Sequence, residues 1–282
     1  MIIAKQLVKK FNGQTVLDQL DLKVAQGDRI ALIGANGAGK TTLIRSILGQ
    51  YQIQGELKIF GKDPRKERVK VLEQLAFVPQ HSPPFQMTVS ELVNFSNGLS
   101  AQSSLRAIIE ICSAMGLDIE AHFKKPFVKL SGGMQQKVLL SLALSKKPAL
   151  LIMDEPAANL DPAGRKAFFH ELSKLDEKTT IILSSHRVDE VLSLINRIVE
   201  MDCGKIVVDE RIGRLSAANE QLSCHVELLE EHPSALKKLK EWDFKAIDGP
   251  LIYQGSIAGE DRLRFINSLS HYANYIKKLH IN

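Results

Sequence analysis

The sequence of 282 residues predicts an α/β fold with a small α+β domain after it. The run RIALIG (29–34) is apolar and ends at glycine, as expected for a buried parallel strand. Two further apolar runs, ALLIMDEP (149–156) and TTIILSSH (179–186), are separated by a helical pattern that follows DPAGR. Strands that alternate with helices in this way predict a sheet built from parallel β/α units.

A small antiparallel β layer is predicted at the N-terminus. The stretches 2–11 and 15–28 alternate between apolar and polar residues, and the turn FNGQ lies between them. The segment GELKIFG (55–61) predicts another short strand. The basic cluster KDPRKERVK (62–70) indicates a solvated surface, with a weak alternative as a contact for nucleic acid or an anionic membrane.

A helical insertion is predicted at about residues 82–145. The segments MTVSELVNFSN (87–97) and SLRAIIEICSAMG (104–116) place apolar residues at helical spacing, and Met134 to Ser145 forms a further Leu-rich helix. After the last parallel strand, RIVEMDCGKIVVDE (197–210) predicts a hairpin around Gly204. The first domain is therefore expected to span residues 1–215.

Residues 216–282 predict a separate, smaller domain. Their pattern has the order β-α-β-β-α-β of a ferredoxin-like fold, and the alternative is an irregular tail packed on the first domain. This part is close to neutral, with 8 Lys and Arg against 9 Asp and Glu, although the whole chain carries a net charge of +5. The C-terminal domain thus gives no support to nucleic-acid binding.

Composition indicates an intracellular globular protein. The chain is 44% hydrophobic, enough for a sizeable core, and its three cysteines are widely spaced without a CxxC pair. That usage favours a reducing compartment over a disulfide framework or a zinc site. No apolar run approaches the length that spans a bilayer, so we expect a cytoplasmic chain whose membrane role would require a separate partner.

The segment GANGAGKT (34–41) carries the strongest chemical signal. It fits the pattern G-x-x-x-x-G-K-[ST] between a predicted strand and a predicted helix, which is the context of a phosphate-binding loop. Glycines let backbone N–H groups surround the phosphates, Lys40 reaches the outer phosphates and the Thr41 hydroxyl binds magnesium. The sequence predicts a site for a nucleoside triphosphate here.

The acidic end of the strand 149–153 complements this loop. Asp154 is predicted to hold Mg²⁺, usually through water, and Glu155 to polarise the attacking water as a general base. The alternative for Glu155 is an acidic residue at a helix entry before Pro156. Far from the loop, KLSGGMQQK (129–137) predicts a second anion-binding helix start, because Ser131 can cap a helix whose Gly132 and Gly133 expose their N–H groups.

Over residues 2–215 the chain resembles the nucleotide-binding ATPase subunit of an ABC transporter. The resemblance rests on six segments in this order: GANGAGKTT, AFVPQ, LSGGMQQK, LLIMDEP, NLD and LSSH. The resemblance implies the ABC type of P-loop core, ATP and Mg²⁺ as ligands, and a dimer with two ATP molecules between the subunits. It also implies that each segment 131–133 meets the γ-phosphate bound by the other subunit. The residues it assigns to ATP are Phe11, Val16, Gly34, Asn36, Gly37, Ala38, Gly39, Lys40, Thr41, Thr42, Ser131, Gly132, Gly133 and Asp161.

Several roles follow from the resemblance alone. Phe11 matches the aromatic residue that stacks on adenine, beside Val16, and a strand-end core residue is its alternative. Gln80 matches the residue that reaches magnesium and water, and His186 matches the residue that contacts the γ-phosphate. Asp161 matches the loop that touches the opposite subunit, while Asp before Pro is also a good helix N-cap.

The resemblance favours a transport ATPase peripheral to the inner face of the cell membrane, acting with separate permease subunits. The segment after Gln80, HSPPFQMTVSELV, resembles the transporter type, and the short C-terminal extension favours an ABC-2-like exporter. The alternative is a soluble, non-transport ABC ATPase that acts on ribosomes or in regulation. No nucleic-acid partner is expected.

Overall fold

The computed structural model describes residues 1–99, 103–185, 190–212, 221–247, 249–258, 265, 268, 269, 272 and 275–281. The chain forms two compact units, Met1–Ile212 and Gly213–Asn282. The predicted domain limit between residues 215 and 216 lies outside the described residues and stays a prediction. Within the described residues, no helix has both the length and the apolar character needed to cross a membrane.

A three-stranded antiparallel sheet forms the N-terminal layer. Strand β1 (Ile2–Phe11) lies between β2 (Gln14–Val24) and β4 (Gln54–Ile59). Asn12 and Gly13, with φ of 48° and 85°, make the tight turn between β1 and β2 that an Asn-Gly pair favours. The predicted antiparallel layer is confirmed, and the strand predicted from GELKIFG joins it.

A six-stranded sheet forms the centre of the first unit, in the order β5-β6-β7-β3-β8-β9. All neighbouring pairs are parallel except β8–β9, which form the predicted hairpin at one edge. Strands β6 and β7 are buried along their whole length, as expected where both faces of a parallel sheet are covered. The strands are β3 (Arg29–Ile33), β5 (Leu75–Val78), β6 (Leu150–Asp154), β7 (Thr180–Ser184), β8 (Arg197–Asp202) and β9 (Lys205–Arg211).

Three helices accompany these strands. Helix α1 (Lys40–Ile47) follows β3 after the glycine loop, and α6 (Pro162–Ser173) connects β6 to β7. The short α2 (Arg68–Leu72) contains the end of the basic cluster, and its Val71, just after the cluster, is buried in the core. Because β3 and β6 both run parallel to β7, their carboxyl ends lie at the same edge of the sheet.

The helical insertion contains α3 (Val89–Gly98), α4 (Leu105–Ala114) and α5 (Gly132–Ser145). Thr88 and Glu91 form a capping box at the start of α3. Helix α5 begins two residues before the Leu-rich segment 134–145, at the start that the predicted Ser131 cap implies. The insertion has its own hydrophobic core, made by Val89, Leu92, Val93, Ile108, Cys112, Leu117, Ile119, Phe127, Leu130 and Val138.

The second unit contains a four-stranded antiparallel sheet in the order β11-β12-β10-β13. This is the strand order of a ferredoxin-like fold, as predicted, and α7 (Pro233–Glu241) is the first of its two expected helices. The second expected helix falls on residues 259–272, most of which lie outside the described residues. The strands are β10 (Gln221–Leu228), β11 (Lys245–Ala246), β12 (Ile252–Ala258) and β13 (Ile276–Ile281).

Candidate nucleotide-binding site

The loop between β3 and α1 requires glycine at two positions. Gly34 has a φ of 142°, and a Cβ atom there would lie 2.2 Å from the carbonyl oxygen of Met201. Gly39 has a φ of 105°, and a Cβ atom there would lie 2.9 Å from the carbonyl oxygen of Val16. The loop is therefore pressed against β8 and β2, in a shape that side chains would prevent.

Lys40 is held against this loop. Its side chain is only 8% exposed, and its Nζ donates to the carbonyl oxygens of Gly34 at 2.6 Å and Ala35 at 3.2 Å. The carbonyl oxygen of Ala38 accepts a hydrogen bond from the N–H of Gly204 at 3.0 Å, which fixes the loop to the β8–β9 turn. These contacts place an ammonium group within a loop of backbone N–H groups, a combination suited to phosphates.

One cavity gathers most of the predicted residues from distant parts of the sequence. The P-loop, Gln80 after β5 and the acidic end of β6 meet in it, as expected where the carboxyl ends of parallel strands share one edge. We call it the P-loop cavity, and the residues that line it are Val16, Ala35, Asn36, Gly37, Gly39, Lys40, Thr41, Thr42, Gln80, Asp154 and Glu155. Sequence reasoning selected all of these except Ala35.

Asp154 is the carboxylate nearest the loop. It is buried, its Oδ2 accepts from the Thr41 hydroxyl at 3.0 Å, and its Oδ1 accepts from the Ser184 hydroxyl at 2.5 Å. Hydroxyl, carboxylate and the amide of Gln80 are oxygen donors of the class that Mg²⁺ prefers when phosphates complete its shell. The donor set thus fits a nucleotide-bound magnesium ion.

Glu155 has an unusual backbone conformation. Its φ is 48°, and its N–H donates to the hydroxyl of Ser184 at 2.9 Å and to the carbonyl oxygen of Ser184 at 3.3 Å. The residue lines the P-loop cavity and also a neighbouring cavity formed with Arg165 and Glu190. Both Asp154 and Glu155 therefore line the P-loop cavity, whereas the second cavity is lined by Glu155 without Asp154.

The second predicted anion site lies at the start of α5. The Ser131 hydroxyl accepts from the N–H of Met134 at 3.3 Å and caps the helix, as predicted. Apart from its chain neighbours and the nearby backbone of α5, no described atom would lie within 4 Å of a Cβ atom on Gly132, whereas one on Gly133 would lie 3.0 Å from the carbonyl oxygen of Asn159. None of residues 131–133 is among those that line the P-loop cavity of the same chain.

Phe11 is not among the residues that line the P-loop cavity. Its ring is 38% exposed, packs edge-on against Tyr51 with centroids 5.1 Å apart, and has the Lys9 ammonium 4.5 Å from its centroid. Its predicted stacking on adenine stays a prediction. Val16, the apolar residue predicted beside it, does line the cavity.

Asp161 caps α6 by accepting from the N–H of Gly164 at 3.3 Å, the helix-capping role that sequence reasoning had weighed. Its other oxygen pairs with Lys137 Nζ at 3.0 Å, and this ammonium holds the pKa of the Asp161 carboxyl below its usual range. His186 lies outside the described residues, and its contact with the γ-phosphate stays a prediction.

Two contacts of the site were not predicted from the sequence. Ser184 bonds to both Asp154 and Glu155, and Gln136 of α5 donates to the carbonyl oxygen of Pro156 at 3.0 Å. The only sequence signal for Ser184 is a polar residue at the end of an apolar strand, in a run parallel to the one that ends at Asp154. Gln136 carries no signal of its own within the helical pattern.

Taken together, the strand–loop–helix and the acidic strand end beside it define a P-loop nucleoside triphosphatase. The family model described as ABC transporter matches residues 17–158. The chain belongs to the ABC transporter family, as an ATP-binding subunit that hydrolyses ATP. The predicted family, fold and enzymatic class are confirmed.

Similar proteins agree with this assignment. Bacitracin transport ATP-binding protein BcrA of Bacillus licheniformis is 32% identical over 225 residues, which cover 78% of this chain and 72% of BcrA. Zinc import ATP-binding protein ZnuC of Pseudomonas aeruginosa is 32% identical over 199 residues, or 69% and 68% of the two chains. A dimeric ATP-binding cassette bound to ADP and Pi shares the fold with a TM-score of 0.66, at 21% identity over 75% of this chain and 98% of its own.

Proposed function

We propose that this subunit binds ATP with Mg²⁺ in the P-loop cavity and closes as a two-fold dimer around two ATP molecules. The observation that carries the proposal is the pair of anion sites on one chain. Lys40 and Thr41 of the P-loop and Asp154 at the end of β6 line one cavity, whereas Ser131 at the capped start of α5 does not line it. In a head-to-tail pair, each α5 would complete the other chain's cavity.

Three side chains are proposed as the magnesium ligands: the Thr41 hydroxyl, Asp154 through water, and Gln80. The bound ion would neutralise charge on the β- and γ-phosphates. Lys40 and the loop N–H groups would bind the same phosphates. The oxygen-only donor set and the contact between Thr41 and Asp154 support this arrangement.

Glu155 is proposed as the general base of hydrolysis, which accepts a proton from the attacking water. Gln80 orients that water, and His186 contacts the γ-phosphate. Phe11 and Val16 contact the adenine, and Asp161 contacts the opposite subunit. The position of Glu155 beside the P-loop within one cavity supports its role.

The dimer is proposed to be gated by the γ-phosphate. The N-terminus of α5 offers the N–H groups of Gly132 and Gly133 and the positive end of the helix dipole, both of which favour an anion. ATP supplies that anion and ADP does not. Binding therefore favours the closed pair, and hydrolysis removes the contact that holds it.

The closing motion is proposed to drive a separate membrane permease at the inner face of the cell membrane, in the direction of export. The names of relatives include bacitracin transport and zinc import, so they leave the direction open. The second unit, with a single four-stranded sheet, supports export, because importers of the maltose type often carry a larger C-terminal β-barrel domain.

The test of the gated dimer uses Glu155→Gln, which removes the base and keeps the phosphate contacts. We expect this variant to bind ATP, to lose hydrolysis by about 100-fold or more, and to elute as a dimer only with ATP. Adding Ser131→Arg should abolish the dimer and leave ATP affinity unchanged. Undiminished turnover in Glu155→Gln, or an ATP-dependent dimer that survives Ser131→Arg, would contradict the proposal.

The partner is tested by purifying the tagged chain from its native membranes. A co-purifying integral membrane protein would identify the partner. In inverted membrane vesicles, ATP-dependent uptake of its substrate would support export. ATP-dependent loss of the substrate from the vesicles would instead indicate import. Co-sedimentation with ribosomes in place of a membrane protein would favour the non-transport alternative.

A further inference from the structure

Ser184 is the last residue of β7, and its hydroxyl contacts both acidic residues of the site. The register of β6 and β7 pairs Ser184 directly with Asp154. The side chain is fully buried, so water does not compete for its hydrogen bonds. Sequence reasoning assigned no role to this residue.

The directions of the two hydrogen bonds follow from the chemistry of the groups. A serine hydroxyl has one proton to donate and can accept two hydrogen bonds. It donates that proton to Oδ1 of Asp154 at 2.5 Å, a length typical of a hydroxyl bound to an ionised carboxylate. It accepts the N–H of Glu155 at 2.9 Å. One hydroxyl thus connects the proposed metal carboxylate with the backbone of the proposed base.

The first bond fixes the orientation of Asp154. With Oδ1 held by Ser184, Oδ2 faces the Thr41 hydroxyl at 3.0 Å. The Thr41–Asp154–Ser184 chain therefore leaves the carboxylate little freedom to rotate. Partners that orient a metal ligand in this way strongly affect metal affinity and activity.

The second bond supports the turn at Glu155. Its φ of 48° is a conformation that non-glycine residues seldom adopt. The Ser184 hydroxyl and carbonyl oxygen share the Glu155 N–H and hold this conformation. Without the hydroxyl, the Glu155 N–H would lose its 2.9 Å bond and keep the longer 3.3 Å bond to the carbonyl oxygen.

We infer that Ser184 is a positioning residue, which orients Asp154 toward Mg²⁺ and holds the backbone of Glu155 for catalysis. The inference rests on the proposed roles of Asp154 and Glu155. It predicts effects on magnesium-dependent ATP binding and on turnover, which a residue that only fills a polar position in the core would not produce.

The chain offers a matched control on the same strand. Thr180, at the opposite end of β7, is also fully buried, and its hydroxyl accepts the N–H of Gly27 at 3.0 Å. Ser184→Ala and Thr180→Val each remove one buried hydroxyl that serves a backbone N–H. A purely structural role predicts similar losses of thermal stability and activity in both.

The experiment measures kcat, the thermal midpoint, and the equilibrium affinity for a fluorescent ATP analogue with Mg²⁺ and with EDTA. In Ser184→Ala we expect kcat to fall about 10- to 100-fold, and the gain in affinity on adding Mg²⁺ to shrink by a similar factor. Affinity in EDTA should be unchanged. Thr180→Val should keep the wild-type kcat and Mg²⁺ gain, and Ser184→Thr, which retains the hydroxyl, should restore part of both.

Asp154→Asn separates failure of this inference from failure of the proposed function. If Asp154→Asn loses the Mg²⁺ gain while Ser184→Ala keeps it together with wild-type kcat, the role of Ser184 is wrong and the proposed metal site stands. Equal losses in Ser184→Ala and Thr180→Val also overturn the inference. If Asp154→Asn keeps the full gain, the proposed metal role fails, and the inference fails with it.

Discussion

Lys137 of α5 and Asp161 at the start of α6 form an ion pair, with Nζ and Oδ1 3.0 Å apart. The Lys137 side chain is 13% exposed and that of Asp161 is 56% exposed. Because Asp161 also caps α6, one carboxylate connects the helix that begins at Gly132 with the loop that follows Glu155. The proposed trans contact and the proposed cis catalytic residue are thus linked within one chain.

The first prediction tests this link with Lys137→Met, which keeps the length of the side chain and removes its charge. In the Glu155→Gln background, we expect weaker ATP-dependent dimerisation, because the α5 start loses one contact that fixes it to the Asp161 loop. ATP affinity of the monomer should not change. Analytical ultracentrifugation with and without ATP measures the dimer.

Lys174→Met is the control for Lys137→Met, since Lys174 pairs with Glu171 on α6 itself.

The pKa of Asp161 is lowered in the folded chain. The contribution of this carboxylate to stability is therefore present above the ordinary carboxyl pKa, about 4, and is lost as the pH falls through the folded value. Dimerisation at neutral pH should therefore depend on the charged pair. Equal dimer affinities for both lysine variants would show that the link has no effect.

The second prediction concerns the adjacent glycines of α5. Gly132→Ala adds a Cβ atom that meets no described atom within 4 Å beyond its chain neighbours and the nearby backbone of α5, so the free energy of unfolding should not fall. It should weaken the ATP-bound dimer about tenfold or more, because a charge-assisted contact to phosphate is disturbed. Gly133→Ala should instead destabilise the monomer, since its Cβ atom would lie 3.0 Å from the Asn159 oxygen.

Urea unfolding and ATP-dependent sedimentation of both alanine variants, again with Glu155→Gln, check this contrast. The two glycines would then be required for different reasons, one for a contact to another chain and the other for packing within this chain. Loss of monomer stability in Gly132→Ala with an unchanged dimer would refute the assignment.

The third prediction tests a buried ion-pair network at the start of β8. Arg197 bonds to Asp28 at 2.7 Å, to both carboxylate oxygens of Asp209 and to the carbonyl oxygen of Lys23 at 2.8 Å. Arg197→Met leaves the buried Asp28 carboxylate with less compensation. We expect a loss of about 3–5 kcal/mol in the free energy of unfolding, measured by urea denaturation.

Arg106→Met on α4 is the matched control for Arg197→Met. Arg106 pairs with Glu110 at 2.8 Å, but its side chain is almost fully exposed, so we expect no measurable change in stability. A similar small effect for both arginines would mean that the network around Arg197 does not stabilise the fold.

The fourth prediction tests the independence of the two units. Deleting Ser216 to Asn282 should leave a folded chain that binds ATP, because the described core of the sheet and that of the helical insertion consist of residues of the first unit. Circular dichroism and cooperative thermal unfolding measure the outcome. An insoluble or non-cooperative product would mean that the C-terminal unit is part of the first core.

Much of the fold can be predicted from local sequence patterns. The glycine at position 34, the lysine at 40 and the acidic pair at 154 and 155 have meaning through spacing and flanking strands, and the structure brings them into one cavity. Periodicity likewise predicted the β-α-β-β order at the C-terminus. Both signals are local, because dihedral preferences and alternation act over a few residues.

Other features depend on register and packing between distant segments. The contact of Ser184 with Asp154 joins residues 30 positions apart, and it exists because β6 and β7 pair with that register. The pairing of Lys137 with Asp161 and the close approach of Gly34 to Met201 arise in the same way.

The class of protein and the identity of its reactive groups can therefore be predicted from local sequence patterns. The side chains that orient those groups become evident in the folded chain, because hydrogen bonds and ion pairs act over about 3–4 Å in space. A sequence without its fold does not specify which distant residues come that close.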